Sequence, residues 1–162
     1  VKNAPTPLLV LLDDLEADGP HDYQFMLHAL APFRIDEEHA VLATQQPRAG
    51  VEVKYLAPGP IAFRQWDGYE PKPTKEFPNQ WHVEAATRSA GPGLTVLTVM
   101  VPYRGSTAPS WQARRVESPD AVGVRIMLDG KPVAVAFRRA GVTGRATWDG
   151  TRFDGPALVT AE

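Results

Sequence analysis

The sequence predicts an all-β fold, an antiparallel sandwich of two sheets with about ten strands. Sixteen prolines and 13 glycines divide the 162 residues into short segments, and no window of about 12 residues has helical periodicity. In several segments apolar and polar side chains alternate, which gives a strand one apolar face. Two sheets can bury such faces against each other. A chain of 162 residues has the usual size of one domain, so we expect a single domain over residues 1–162. A closed barrel is the alternative.

The first two predicted strands flank an acidic turn. Leu8 to Leu12 is an unbroken apolar run, and residues 13–20 read Asp-Asp-Leu-Glu-Ala-Asp-Gly-Pro. Tyr23, Phe25 and Leu27 then recur at a spacing of two. Because turn residues separate the two apolar patterns, we interpret this stretch as a β-hairpin.

The middle of the chain continues the alternating pattern. Leu94 to Val101 is apolar or threonine at every position, which predicts a central strand covered on both faces. Residues 68–80, with three prolines, and residues 105–110 are predicted loops. The apolar members of the alternating segments are Val51, Val53 and Tyr55, then Ile61 and Phe63, then Trp81, Val83 and Ala85.

Two Asp-Gly pairs predict hairpins near the C-terminus. Asp129-Gly130 follows an alternating segment over 122–128 and precedes another over 133–137. Asp149-Gly150 separates residues 146–148 from 151–153. A type I′ turn needs positive φ at both central residues, and Asp-Gly supplies it at low cost.

Composition excludes several classes of partner. The net charge is −2, from 17 basic and 19 acidic residues that are interspersed, so we expect no binding to nucleic acid or to an anionic membrane. The longest apolar runs are far shorter than the ~20 residues of a membrane helix. There is no cysteine, so disulfides and thiolate metal sites are excluded.

A segment between two predicted strands is the best candidate for a ligand surface. Aromatic rings pack on the C–H faces of sugars, and basic side chains bind carboxylates or sulfates. The segment could instead use its two tryptophans to fix a proline-rich loop to the sandwich. The predicted carbohydrate-binding residues are Arg64, Trp66, Tyr69, Trp81 and His82, with Lys72 and Lys75 nearby.

No catalytic or metal-binding residue is predicted. His82 and Glu84 share one face of a predicted strand and could hold a metal or act as an acid/base pair. A metal needs further ligands, so a solvated polar face is favoured. The pairs Arg114-Arg115 and Arg138-Arg139 are also expected to be solvated, whereas Trp111 and Trp148 are expected to pack.

The opening stretch resembles the later, β-sandwich part of heparinase II/III-like polysaccharide lyases. An apolar strand runs into Asp-Asp-Leu-x-Ala-Asp-Gly-Pro-His-x-Tyr and then Leu-His. Residues 51–60, 77–87 and 94–104 follow in the order expected for that family. The matching residues are Asp13, Asp14, Leu15, Ala17, Asp18, Gly19, Pro20, His21, Tyr23, Leu27 and His28.

The resemblance implies a role in cleaving an acidic polysaccharide by β-elimination. The family's zinc ligands and its proton-transferring tyrosine and histidine lie upstream of the matched part, in or near an α/α-toroid domain. None is carried over to this chain, so we expect no catalytic residue and no cofactor here, although the parent enzyme could hold zinc. His28 is interpreted as structural rather than as a catalytic or zinc-ligating histidine.

On this view the chain is the C-terminal part of a larger polypeptide, and Val1 in place of an initiator methionine agrees with a fragment. The resemblance further implies a bacterial protein that is secreted or periplasmic, with the upstream toroid and an acidic polysaccharide as partners. The isolated chain is expected to be inactive. Two alternatives are an autonomous carbohydrate-binding module and a purely structural sandwich with an uncovered apolar sheet face.

Overall fold

The computed structural model of the chain describes residues 6–161, so Val1 lies outside it. Those residues form 14 strands in antiparallel sheets and no helix, which confirms the predicted all-β, sandwich-like fold with more strands than expected. Accordingly, no helical segment in this range could span a membrane. The strands are β1 (Leu9–Glu16), β2 (Asp22–Ala29), β3 (Phe33–Asp36), β4 (Val41–Gln46), β5 (Ala49–Leu56), β6 (Ala62–Asp67), β7 (Trp81–Arg88), β8 (Gly93–Arg104), β9 (Trp111–Glu117), β10 (Ala121–Leu128), β11 (Lys131–Arg138), β12 (Ala146–Trp148), β13 (Thr151–Phe153) and β14 (Ala157–Ala161).

A five-stranded sheet, in the order β1-β8-β5-β4-β3, lies in the middle of the fold. Its strand β8 pairs with β1 on one side and with β5 on the other. Val99 points into one hydrophobic core and Val96 into another, so the predicted central strand covered on both faces is confirmed. The edge strands β1 and β3 do not pair with each other within residues 6–161. The sheet is therefore open, which favours the sandwich over a barrel.

The first core lies between the five-stranded sheet and a four-stranded sheet ordered β14-β11-β10-β9. Val124, Ile126 and Leu128 alternate along β10 and are almost completely buried. The Arg115 guanidinium also lies between the layers, with a side chain that is 14% exposed. Since Arg115 interrupts the apolar alternation of β9, sequence patterning did not identify that strand. It also missed β3, β4 and β14, which are short or carry polar residues.

The second core lies between the opposite face of the five-stranded sheet and a three-stranded sheet ordered β2-β7-β6. Phe25 and Leu27 of β2 and Val83 and Ala85 of β7 point into this core. Side chains alternate along a strand, so their neighbours point away from it. The outer face of this sheet carries most of the predicted ligand surface.

The predicted opening hairpin is wrong. β1 pairs with β8, where Leu12 lies opposite Leu97, and β2 pairs with β7, where Leu27 lies opposite Val83. The acidic turn therefore crosses from one sheet to another, with the Ala17 backbone N–H donating to the Pro92 carbonyl over 2.6 Å. Turn chemistry marks where a strand ends, but the same residues serve a hairpin and a crossover.

Both Asp-Gly hairpins are confirmed. The φ angles are 51° and 77° at Asp129 and Gly130, and 48° and 81° at Asp149 and Gly150. The β12–β13 hairpin covers part of the outer face of the four-stranded sheet through Trp148, which is 2% exposed. Trp148 therefore packs, as expected.

The basic pairs are less solvated than expected. Arg139 donates from Nε to the Ser118 carbonyl over 3.1 Å, and Arg138 donates to the Asp154 carbonyl. With Arg115 between the sheets, only Arg114 of the four arginines has no hydrogen bond or ion pair from its guanidinium within the described chain. Arg115 joins two sheets, whereas Arg138 and Arg139 bond to turns beside the four-stranded sheet.

Candidate functional site

Strand register assembles a polar and aromatic surface on the outer face of the β2-β7-β6 sheet. His82 of β7 lies opposite His28 of β2 on one side and opposite Trp66 of β6 on the other. Arg64 lies opposite Glu84 in the next outward-facing row. Cross-strand partners share a face of the sheet, so these side chains form one continuous surface.

His82 is the centre of this surface. The Trp66 indole stacks on its imidazole, with ring centroids 5.5 Å apart and an interplanar angle of 10°. Tyr69 approaches edge-on at 5.7 Å and 82°, and His28 does so at 4.4 Å and 67°. These three rings leave His82 only 8% exposed although it points away from the core.

The long loop between β6 and β7 positions Tyr69. Gly68, at a φ of 85°, donates its N–H to the Gln80 carbonyl over 2.9 Å, which closes the base of the loop. Asn79 donates to an Asp67 carboxylate oxygen over 3.2 Å. The Tyr69 hydroxyl donates to the carbonyl of Pro78, also over 3.2 Å. The predicted loop over 68–80 therefore folds back on itself and holds Tyr69 against His82.

Two polar groups of this surface have unusual surroundings. The Nε2 atom of His82 is buried and has no hydrogen-bond partner among residues 6–161. An unsatisfied buried polar atom costs about 1–3 kcal/mol. The Arg64 guanidinium lies over the Trp66 ring, 5.1 Å from its centroid, where the ring quadrupole attracts a cation. Both Arg64 and the partly exposed Trp66 can also reach solvent.

Four of the five predicted site residues lie together, and Trp81 does not. Arg64, Trp66, Tyr69 and His82 share the outer surface, whereas Trp81 points inward and packs against the second core. Its neighbour in sequence is His82, and adjacent residues of a strand face opposite ways. Trp81 thus anchors the loop's end to the core.

His28 is the residue of this surface that the sequence prediction left out. It is exposed and touches His82 because β2 pairs with β7. Alternation along β2 placed it on the outward face, but nothing local in the sequence indicated which strand would lie beside it.

The described residues do not fit the zinc that the family resemblance allows in a parent enzyme. No group of three or more His, Asp or Glu side chains within residues 6–161 could hold a metal ion. His28 and His82 supply two imidazoles, and Glu84 lies between Arg64 and Met26 in the neighbouring row.

The fold and surface define a domain of layered antiparallel sheets, one of which has an aromatic and polar outer face. Two solved structures of heparinase III, one with methylated lysines, share this fold with TM-scores of 0.65 and 0.60 and sequence identities of 13% and 15%. The matches cover 82% and 80% of this chain and 22% of each heparinase chain. The chain thus spans about a fifth of the heparinases it matches, and identity this low establishes the fold alone. No protein-family model and no curated protein matches the sequence.

Proposed function

We propose that this chain is the C-terminal β-sheet part of a heparinase II/III-like polysaccharide lyase, which cleaves an acidic polysaccharide by β-elimination. The observation that carries the proposal is the heparinase III fold shared over 82% of the chain. In this proposal the chemistry belongs to an upstream α/α-toroid domain of the same polypeptide. The present chain supports that domain and forms one wall of the substrate cleft.

The surface around His82 is the part of the wall that would contact substrate. The partly exposed Trp66 ring offers an apolar face to the C–H groups of a sugar. Arg64, above the same ring, offers charge-assisted hydrogen bonds to a carboxylate or sulfate. These two chemistries together suit an acidic sugar unit.

Enzyme assays test whether the upstream domain, rather than this chain, carries the chemistry. Elimination at a uronic acid creates an unsaturated product that absorbs in the ultraviolet. We expect the isolated chain to give no such absorbance with heparin, alginate or hyaluronan, and the longer polypeptide to act on one of them. Cleavage by the isolated chain would contradict the proposal.

The role of the surface is tested in the active polypeptide. Trp66→Ala should raise KM about tenfold with little change in kcat, because it removes binding that ground and transition states share. Phe77→Ala is the matched control, since Phe77 is a 61% exposed aromatic of the neighbouring loop outside the ring cluster. A fall in kcat with KM unchanged would show that Trp66 does not act by holding substrate.

An autonomous carbohydrate-binding module is the second candidate. It is favoured by the completeness of the surface, since β2, β6, β7 and one loop supply all of it. Ring geometry favours the lyase assignment instead. Trp66 lies parallel to His82 and Tyr69 nearly perpendicular to it, so the aromatic rings do not form a flat platform. Calorimetry on the isolated chain discriminates the two. Only a module would bind an acidic glycan through Trp66 without a catalytic domain, so only a module would lose that binding in Trp66→Ala.

Two further assignments accompany the lyase proposal. A bacterial enzyme that degrades polymers too large to enter the cell would be periplasmic or secreted. Any zinc would be held by residues of the toroid part. Cell fractionation of the producing bacterium and metal analysis of the full polypeptide test these two statements.

A further inference from the structure

A groove lies on the outer face of the four-stranded sheet, on the part that the β12–β13 hairpin leaves open. One row across this face runs Arg114, Arg125, Ala134 and Thr160, each opposite the next on neighbouring strands. The adjoining row contains Gln112, Met127 and Pro132. These residues line an open groove with a volume of about 420 Å³, which is within the range of small-ligand sites.

The two arginines leave this groove with an excess of positive charge. Arg114 and Arg125 are direct cross-strand partners, an arrangement that destabilises a sheet when the charges are alike. Arg125 donates to the Asp149 carboxylate, and its guanidinium lies 6.0 Å from the centroid of the Trp148 ring. The Arg114 guanidinium has no partner within residues 6–161. Of these two guanidinium groups, only that of Arg125 therefore has a carboxylate partner among the described residues.

We propose that this groove binds an acidic sugar unit through its carboxylate or sulfate group. The oxyanion would lie between the guanidiniums of Arg114 and Arg125, where it offsets their repulsion and accepts charge-assisted hydrogen bonds. Thr160 and Gln112 supply a hydroxyl and an amide for sugar hydroxyls. The small side chain of Ala134 leaves room for the sugar ring.

This site goes beyond the proposed function in its location, although the choice of an acidic sugar as its ligand rests on that function. It lies on a different sheet from the His82 surface, separated from it by the middle sheet and both cores. The chain would therefore hold an anionic polymer at two places, or hold an acidic oligosaccharide at the Arg114 groove even if the His82 surface binds nothing.

Nuclear magnetic resonance of the whole chain tests the site. Sodium glucuronate and a sulfated glucose are the probes, with glucose and sodium sulfate as comparisons. We expect both acidic sugars to shift the arginine Nε–H signals of residues 114 and 125 saturably, and glucose to shift neither. Arg114→Gln should weaken binding by about tenfold or more, the usual effect of losing a charged hydrogen bond.

Two variants make the test specific. Arg34→Gln is the matched control, because Arg34 is an exposed strand arginine away from the groove, and binding should be unchanged. Trp66→Ala should also leave it unchanged, which separates this site from the proposed substrate surface. The proposal is overturned if neither acidic sugar shifts the arginine signals, including the case in which sodium sulfate shifts them and the sugars do not. It is also overturned if Arg34→Gln weakens binding as much as Arg114→Gln.

Discussion

Trp148 occupies the space that a side chain at position 123 would need. A Cβ atom added to Gly123 would lie 2.7 Å from the Cε2 and Cζ2 atoms of the indole and 2.5 Å from the Val135 carbonyl oxygen. The indole Nε1 donates to the Val116 carbonyl over 2.9 Å, which fixes the ring in this position. The missing side chain of Gly123 thus allows the β12–β13 hairpin to close over the four-stranded sheet.

Gly123→Ala should therefore destabilise the fold by about 2–4 kcal/mol, because neither the backbone carbonyl nor the buried ring can move away cheaply. Urea unfolding measures the loss. Gly91→Ala is the control, since nothing lies within 4 Å of a Cβ there, and it should change stability by less than about 0.5 kcal/mol. Equal effects of the two substitutions would show that the indole does not depend on Gly123.

His82→Phe should raise the free energy of unfolding by about 1 kcal/mol. The substitution keeps a flat ring beneath Trp66 and removes a buried nitrogen that has no partner. Denaturant unfolding at neutral pH measures the change, and His21→Phe, at an exposed imidazole, should be nearly neutral. If His82→Phe instead destabilises the protein, the nitrogen has a hydrogen-bond partner and is not an unsatisfied group.

Arg115→Met should destabilise the fold by about 2–3 kcal/mol. Its Nη1 donates to the carbonyls of Leu56 and Thr95 over 2.8 and 2.7 Å, and these acceptors would be left without their charged donor. Arg114→Met is a close control, because the adjacent guanidinium has no partner within the described residues. Thermal and urea unfolding should separate the two variants clearly. Similar losses would mean that Arg115 does not join the layers.

Asp13→Asn should gain stability relative to the native protein as pH rises. Burial raises the pKa of Asp13 above its ordinary value of 3.8. An acid with a raised folded-state pKa contributes stability below its unfolded pKa and loses that contribution as pH rises through the folded pKa. The difference in unfolding free energy between variant and native protein should therefore be more favourable to the variant at about pH 7 than at about pH 3. A difference that does not depend on pH would contradict this assignment.

Sequence patterning predicted the strands better than their partners. Alternation and Asp-Gly turns are local, so the hairpins at Gly130 and Gly150 could be read directly. The pairing of β1 with β8 depends on which surfaces meet after collapse, and no local signal in residues 13–20 distinguishes a crossover from a hairpin. β9 was missed because Arg115 stands where an apolar residue was expected.

In the candidate site, too, contacts between neighbouring segments could be predicted and contacts between distant segments could not. The grouping of Arg64, Trp66 and His82 follows from one local pair of strands and could be anticipated. The inward direction of Trp81 also follows from its place next to His82. The contact of His28 with His82 could not be predicted, because it requires β2 to lie beside β7, far along the chain.

The position of β8 also bears on how the protein is made. A ribosome releases the chain from its N-terminus, so the Leu-rich segment Leu9–Glu16 emerges long before Gly93–Arg104, the strand that pairs with it. Until β8 has been made, this apolar segment has no native partner. Exposed apolar segments of this kind make nascent chains prone to aggregation. Strand β1 therefore finds its native partner only after most of the strands between them have been made.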